Sequence, residues 1–182
     1  TDSERMVPNE LIRTVLRAPV DMLWNGGIGT YVKASTETHA SVGDRANDPV
    51  RVDAAELRCR MVVEGGNLGV TQLGRVEYAI AGGLLYTDAI DNSAGVDCSD
   101  HEVNIKVLLG DVITAGEITL KQRNELLHEM TDEVADLVLA NNQAQTLAML
   151  IARTQGLPMV NVHARYLDQL EAEGYLDRAL EF

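Results

Sequence analysis

The sequence has 182 residues, 46% of them hydrophobic, which suffices for one ordinary domain with a buried core and excludes wholesale disorder. Its 15 basic and 28 acidic residues give a net charge of −13, and only 4% of residues are aromatic. That balance repels phosphate backbones and anionic lipid and offers few stacking platforms, so neither nucleic acid nor membrane is expected as a partner.

The elements are predicted in chain order from apolar periodicity and its stops. Pro8 to Arg17 reads as a short helix with Leu11, Ile12, Val15 and Leu16 on one face. Val20 to Trp24 is a short buried strand stopped by Asn25-Gly26-Gly27, and polar Thr36 to Asp53 reads as a long surface loop. Arg58 to Val63 is a second strand, stopped by Glu64-Gly65-Gly66-Asn67. Thr71 to Ala81 has helical spacing and closes at Gly82-Gly83. Leu84 to Ile90 is a third apolar run before Asp91-Asn92-Ser93-Ala94-Gly95, and a helix follows from Val96 to about Ala115. Strands alternating with helices predict an α/β fold: a partial Rossmann-like parallel sheet with flanking helices.

Beyond Gly116 the pattern is helical only. Thr119 and Gln122 have capping-box spacing, and an apolar stripe runs from Leu120 to Val138. Asn141-Asn142 is expected to break that stripe. Further helices are expected over 143–154, closed by Gly156 and Pro158, over 160–171, and from Leu176 onward. The chain therefore divides into 1–115, of α/β texture, and 116–182, an α-helical C-terminal segment. Thr1 to Arg5 does not read as a secretory signal, and no apolar run reaches the roughly 20 residues of a membrane span. The two cysteines, Cys59 and Cys98, suit a reducing compartment, and a cytoplasmic location is expected.

Chemistry is most legible at the three strand ends, each of which places an asparagine beside small residues. In an open parallel sheet ligands bind beyond the carboxyl ends of the strands. Glycine there lets backbone approach a ligand, and an amide both donates and accepts. The plainer alternative is that Asn and Gly merely make turns. A nucleotide or small anionic metabolite is the leading ligand class. Gly27-Ile28-Gly29-Thr30-Tyr31-Val32 approaches the dinucleotide fingerprint but carries Val at the third glycine position. His101-Glu102-Val103-Asn104-Ile105 is one ligand short of a zinc motif, and no metal site is expected. Lysine occurs only at 33, 106 and 121, none in a setting that marks a catalytic base, so no catalytic residue is assigned within the sequence.

Three long strings resemble the large bacterial NAD-specific glutamate dehydrogenases. These are Val20 to Ala34 (VDMLWNGGIGTYVKA), Glu64 to Gly69 (EGGNLG) and Thr87 to Glu102 (TDAIDNSAGVDCSDHE). The likeness extends to the tail, Leu176 to Phe182 (LDRALEF). They are also similar, more distantly, to the E-G-A-N and N-A-G-G-V-x-x-S strings of the small hexameric glutamate dehydrogenases.

The resemblance implies an oxidoreductase fragment that acts on L-glutamate with NAD and water and forms 2-oxoglutarate, ammonia and NADH. It implies that Gly26 and Gly27 line the nicotinamide-ribose end of NAD, that Asn67 binds the nicotinamide ribose and that Asn92 faces the nicotinamide. Val96 matches the valine that packs against substrate, and Ser99 the serine that bonds the substrate's distal carboxylate. The family's lysines and its true fingerprint match nothing in this sequence, so residues 1–115 correspond to the second part of a nucleotide-binding domain. Gly66 and the shifted Ser93-Ala94-Gly95 depart from the small family's pattern. The implied partners are the rest of a parent chain and further copies in a homo-oligomer. Two alternatives stand beside this reading: a structural or oligomerisation module built on the helical segment, and another amino-acid dehydrogenase, against which Ser99 argues.

Overall fold

The structure is a computed structural model and describes residues 5–181; the Thr1–Glu4 start and the terminal Phe182 of the tail string lie outside them. Helix α1 (Pro8–Leu16) begins with proline at its first position, where the missing N–H costs nothing. Strand β1 (Met22–Asn25) follows and pairs in parallel with β4 (Met61–Glu64), in register from Met22–Met61 to Asn25–Glu64. The intervening strands β2 (Val32–Lys33) and β3 (Val52–Asp53) form a second, two-residue parallel pair. Val70 joins β2 through a single parallel bridge. Parallel strands flanked by helices and followed by a helical C-terminal region agree with the partial Rossmann-like expectation, with the pairing shared between two small sheets.

The core sits where these sheets meet helix α3 (Gln72–Ile80). Val32, Val52, Ala54, Cys59, Val62, Val70 and Tyr78 form one buried cluster, with Leu16, Leu23 and Leu85 packed against it. Thr71 caps α3 by accepting the Gly74 N–H at 3.0 Å. Gly82 closes the helix with φ of 94°, a left-handed turn that needs glycine.

Four expectations are corrected. Thr36 to Asp53 is not a surface loop throughout. It carries helix α2 (His39–Val42), a 3-10 turn at Arg45–Asn47 and strand β3, and it buries Val50, Arg51 and Val52. The guanidinium of Arg51 is fully buried, and each of its three nitrogens is bonded: Nε on the Thr30 carbonyl (2.8 Å), Nη1 on Asp48 (2.5 Å) and against His39 Nδ1 (3.0 Å), and Nη2 on the Asp44 carbonyl (2.5 Å). A buried cation is tolerated only when so satisfied, which is why a polar stretch can enter the interior.

The third predicted strand contracts to one parallel bridge, between Met61 and Leu84. The chain then turns into the short helix α4 (Asp88–Asp91), because Thr87 and Asp88 start a helix sooner than the apolar run ends. Helix α5 (Ser93–Thr114) follows, ending before Gly116 at φ of 75°.

Asn141-Asn142 does not break the stripe. After α6 (Leu120–Glu129), whose Thr119–Gln122 capping box forms in both directions, helix α7 runs unbroken over Thr131–Thr154. Each asparagine costs up to about 0.7 kcal/mol against alanine in a helix interior. Here both amides find tertiary partners that offset this: Asn141 donates to Asp97 (2.8 Å) and Asn142 to the Ile90 carbonyl (3.0 Å) and Ser93 Oγ (2.7 Å). Gly156 and Pro158 likewise do not close a helix. They lie in the first turn of α8 (Gly156–Ala172), where proline's absent N–H is tolerated. A last short helix, α9 (Arg178–Glu181), follows. Among the described residues no helix is long and apolar enough to cross a membrane.

Candidate functional site

The site is built on the parallel β1–β4 pair, whose carboxyl ends point the same way. Behind β1 the Asn25-Gly26-Gly27 turn is held by the Gly27 N–H on Asn25 Oδ1 (3.3 Å). Behind β4 the Gly65–Gly69 turn comes up against it. A methyl added at Gly66 would lie 2.8 Å from the Gly27 carbonyl oxygen, so only glycine lets the two turns approach. The near-fingerprint after Gly27 leads into strand β2 and not into a helix, and the Thr30 N–H is taken by Asp44 Oδ2 (2.8 Å). That segment presents no helix N-terminus to a phosphate.

The second turn is fixed from below by a buried ionic network. Glu64 is 1% exposed; its Oε2 accepts Arg75 Nε (2.9 Å) and Nη2 (2.8 Å), and its Oε1 accepts the Val70 N–H (3.0 Å). Arg75 also reaches Asp88 (3.0 Å), whose Oδ2 accepts the N–H of Leu68 (2.7 Å). Leu68 has φ of +60°, a strained value for a leucine, and this bond helps to hold it. Asp91 accepts the Glu64 N–H (3.0 Å), tying β4 to α4. Burial pushes the Glu64 carboxyl above its ordinary value, with Arg75 pulling the other way. Burial raises Asp91 too, against the pull of the Glu64 N–H.

Two of the three strand-end asparagines converge. Asn92 Nδ2 donates to Asn67 Oδ1 at 2.9 Å. The pair stands at a cavity of about 360 Å3 that Val96, Asp88, Asp97 and Gln145 also line. Asn25 stays beside the other turn, close against Gly69. Gly26, Gly27 and Ser99 are outside the cavity lining. Ser99 is exposed on α5, three residues beyond Val96 and so on nearly the same helix face. Lys33 is 7% exposed, with its ammonium on Asp53 and on the Ala34 carbonyl, away from this cavity.

Gln145 is a lining residue that sequence reasoning misses, as it misses Asp88, Asp97 and Asp100. It comes from α7, and no strand-end rule reaches a residue so far along the chain. Its Oε1 is a buried acceptor without a partner among the described residues. A buried acceptor left unpaired costs about 1–3 kcal/mol, so this atom favours a donor entering the cavity. With the carboxylates of Asp88, Asp97 and Asp100 on the same wall, this acceptor, the paired amides and Val96 form an acidic, acceptor-rich pocket that suits the hydrogen-bond donors of an uncharged ligand group such as a carboxamide or a sugar hydroxyl.

A family model described as the catalytic domain of bacterial NAD-glutamate dehydrogenase matches residues 1–152. The chain is 59% identical over 180 residues, 99% of its length, to the NAD-specific glutamate dehydrogenase of Pseudomonas aeruginosa. It is 55% identical over 179 residues to the enzyme of that name from Halomonas elongata, and 56% over 176 residues to that from Mycobacterium tuberculosis. These alignments take 98% and 97% of the chain. In all three cases the chain spans about 11% of the relative's length.

Proposed function

The chain belongs to the family of bacterial NAD-glutamate dehydrogenase catalytic domains, and from that premise we propose that it is one part of an enzyme converting L-glutamate, NAD and water to 2-oxoglutarate, ammonia and NADH. The family match over residues 1–152 carries this reading. Residues 1–115 serve as the second part of the nucleotide-binding domain, and 116–182 as a helical segment packed on it. NAD supplies the hydride acceptor when bound.

The chain's own residues bind and orient. Asn67 holds the nicotinamide ribose, Asn92 faces the nicotinamide, and Gly26 and Gly27 give it room. The 2.9 Å bond between the two amides, the cavity beside them and the unpaired Gln145 acceptor support the roles of Asn67 and Asn92, whereas those of Gly26 and Gly27 rest on the family resemblance. Val96, 58% exposed on the cavity wall, packs against substrate. Ser99 bonds the distal carboxylate, which selects a dicarboxylic amino acid. The acid–base step belongs to the rest of the parent chain, a cytoplasmic homo-oligomer. Apolar side chains left open on α7 and α8, such as Leu139 (65%) and Leu157 (91%), support such contacts.

One set of kinetic measurements tests the reading. The purified chain alone is expected to form no glutamate-dependent NADH. In the full-length enzyme Ser99→Ala removes a hydrogen bond to a charged group, worth roughly 1.5–3 kcal/mol, so kcat/KM for glutamate falls about 10- to 150-fold. Its KM for NAD stays unchanged, whereas Asn67→Ala raises the KM for NAD first. Unchanged glutamate kinetics and unchanged preference over norvaline in a folded Ser99→Ala enzyme would contradict the carboxylate contact.

A further inference from the structure

The middle of α7 carries two adjacent asparagines where helix propensity disfavours them, and both side chains leave the helix to bond the cavity wall. Asn142 bridges two helices. Its amide donates at once to the Ile90 carbonyl in α4 and to the hydroxyl of Ser93, the first residue of α5. Between those two anchors lies Asn92, which serves as the end of α4 and the start of α5, with φ −105° and ψ 14°. No side-chain cap bond fixes this junction from within. Local backbone bonds hold Asn92 in the chain, its N–H on the Asp88 carbonyl (2.8 Å) and the Gly95 N–H on its own carbonyl (3.0 Å), and the side-chain bonds that orient the junction come from the residue that clamps Ile90 and Ser93 on either side. Asn141 braces the next turn by donating to Asp97, another wall residue.

The structure assigns to Asn142 a positioning role: from the C-terminal helical segment it sets the Ile90–Ser93 junction, and through it the amide that Asn92 turns toward Asn67 and the cavity. Asn142 does not line the cavity itself. The assignment rests on the proposed NAD reading only for its kinetic readout; the clamp is a property of the junction.

The test uses the full-length enzyme. Asn142→Leu keeps the size and restores a good helix former, but removes both bonds. The KM for NAD is expected to rise about 5- to 30-fold, the loss of one or two neutral hydrogen bonds, with kcat changed less. In a double-mutant cycle the same substitution should add no further rise in an Asn92→Ala background, because its effect passes through Asn92. Additive effects, or a lowered melting temperature with unchanged KM for NAD, would overturn the assignment. Should Asn142→Leu not fold, Ser93→Ala removes the 2.7 Å bond from the other side, and the same cycle applies. If Asn92→Ala leaves the KM for NAD unchanged, the failure lies with the Asn92 contact. Amide hydrogen exchange then decides the clamp: faster exchange confined to residues 88–96 in Asn142→Leu supports it, and unchanged exchange there refutes it.

Discussion

Arg75 is the residue on which the Asn67 turn depends. It neutralises Glu64, which is 1% exposed, and at the same time holds Asp88, the acceptor for the Leu68 N–H. Removing the cation leaves a carboxylate buried and uncompensated, a loss of about 3–5 kcal/mol for a broken buried pair. Arg75→Met is therefore expected to destabilise the chain by that amount in urea unfolding. The double variant Glu64→Leu with Arg75→Met should recover part of it, since a buried pair replaced by apolar groups costs far less than half a pair. A loss under about 1 kcal/mol for Arg75→Met would mean that water reaches Glu64. At this scale glycine matters most at Gly66, where backbone of one turn meets backbone of the other.

At the scale of elements, the segment from α2 to β3 shows how a polar stretch becomes part of the core. Asp44 receives the Thr30 N–H (2.8 Å) and the Asn47 amide (2.7 Å), and lies 3.8 Å from Arg51. The Thr30 N–H, then the Asn47 amide, hold its carboxyl below the ordinary 3.8. A depressed carboxylate stabilises the fold above its ordinary value, and that contribution disappears as pH falls through the depressed one. Asp44→Asn should thus be less stable than the unaltered chain at pH 7. The difference should shrink steadily below about pH 3.8, which paired urea titrations at pH 7 and pH 3 would measure; an equal difference at both would contradict it. This segment was not legible in the sequence, because β2 and β3 span two residues each and the buried cation beside them, Arg51, is bonded through each of its nitrogens to residues scattered from Thr30 to Asp48. Legible elements are those whose signals are local. The Thr71 and Thr119 caps, the glycine after α3 and the strands β1 and β4 all appear where spacing puts them, but β1 is not the buried strand expected, since Met22 and Trp24 are exposed on it. Local signals misread Leu84 to Ile90, where Thr87 and Asp88 start a helix, and Asn141-Asn142, where tertiary bonds outweigh propensity. The site divides the same way: the strand-end rule finds Asn67 and Asn92, and a partner on α7 such as Gln145 escapes it.

The whole molecule exposes 12637 Å2 of accessible surface, against roughly 8,600 Å2 for a compact monomer of 19.8 kDa. The excess is apolar in many places: Trp24 on β1 is 67% exposed, Ile28 94% and Ile80 82%. Burial is also unevenly distributed along the chain. The core cluster runs from Val32 to Tyr78, whereas among the described residues from α5 to α9 only Val138 is a buried hydrophobic. One half of the chain therefore gains its order from a shared interior, and the other from half-buried packing of α5, α6 and α7 on one another together with a few amide clamps on the first. Heat should not melt two such halves together. In scanning calorimetry the helical segment is expected to lose its structure first and broadly, and the α/β part later and sharply, so the calorimetric enthalpy exceeds the van't Hoff enthalpy. A single sharp endotherm with equal enthalpies would show one cooperative unit instead. Uneven burial thus turns the amides of Asn141 and Asn142 into thermal fuses: once the helical half loosens, the wall of the cavity is released while the sheet beneath it is still intact.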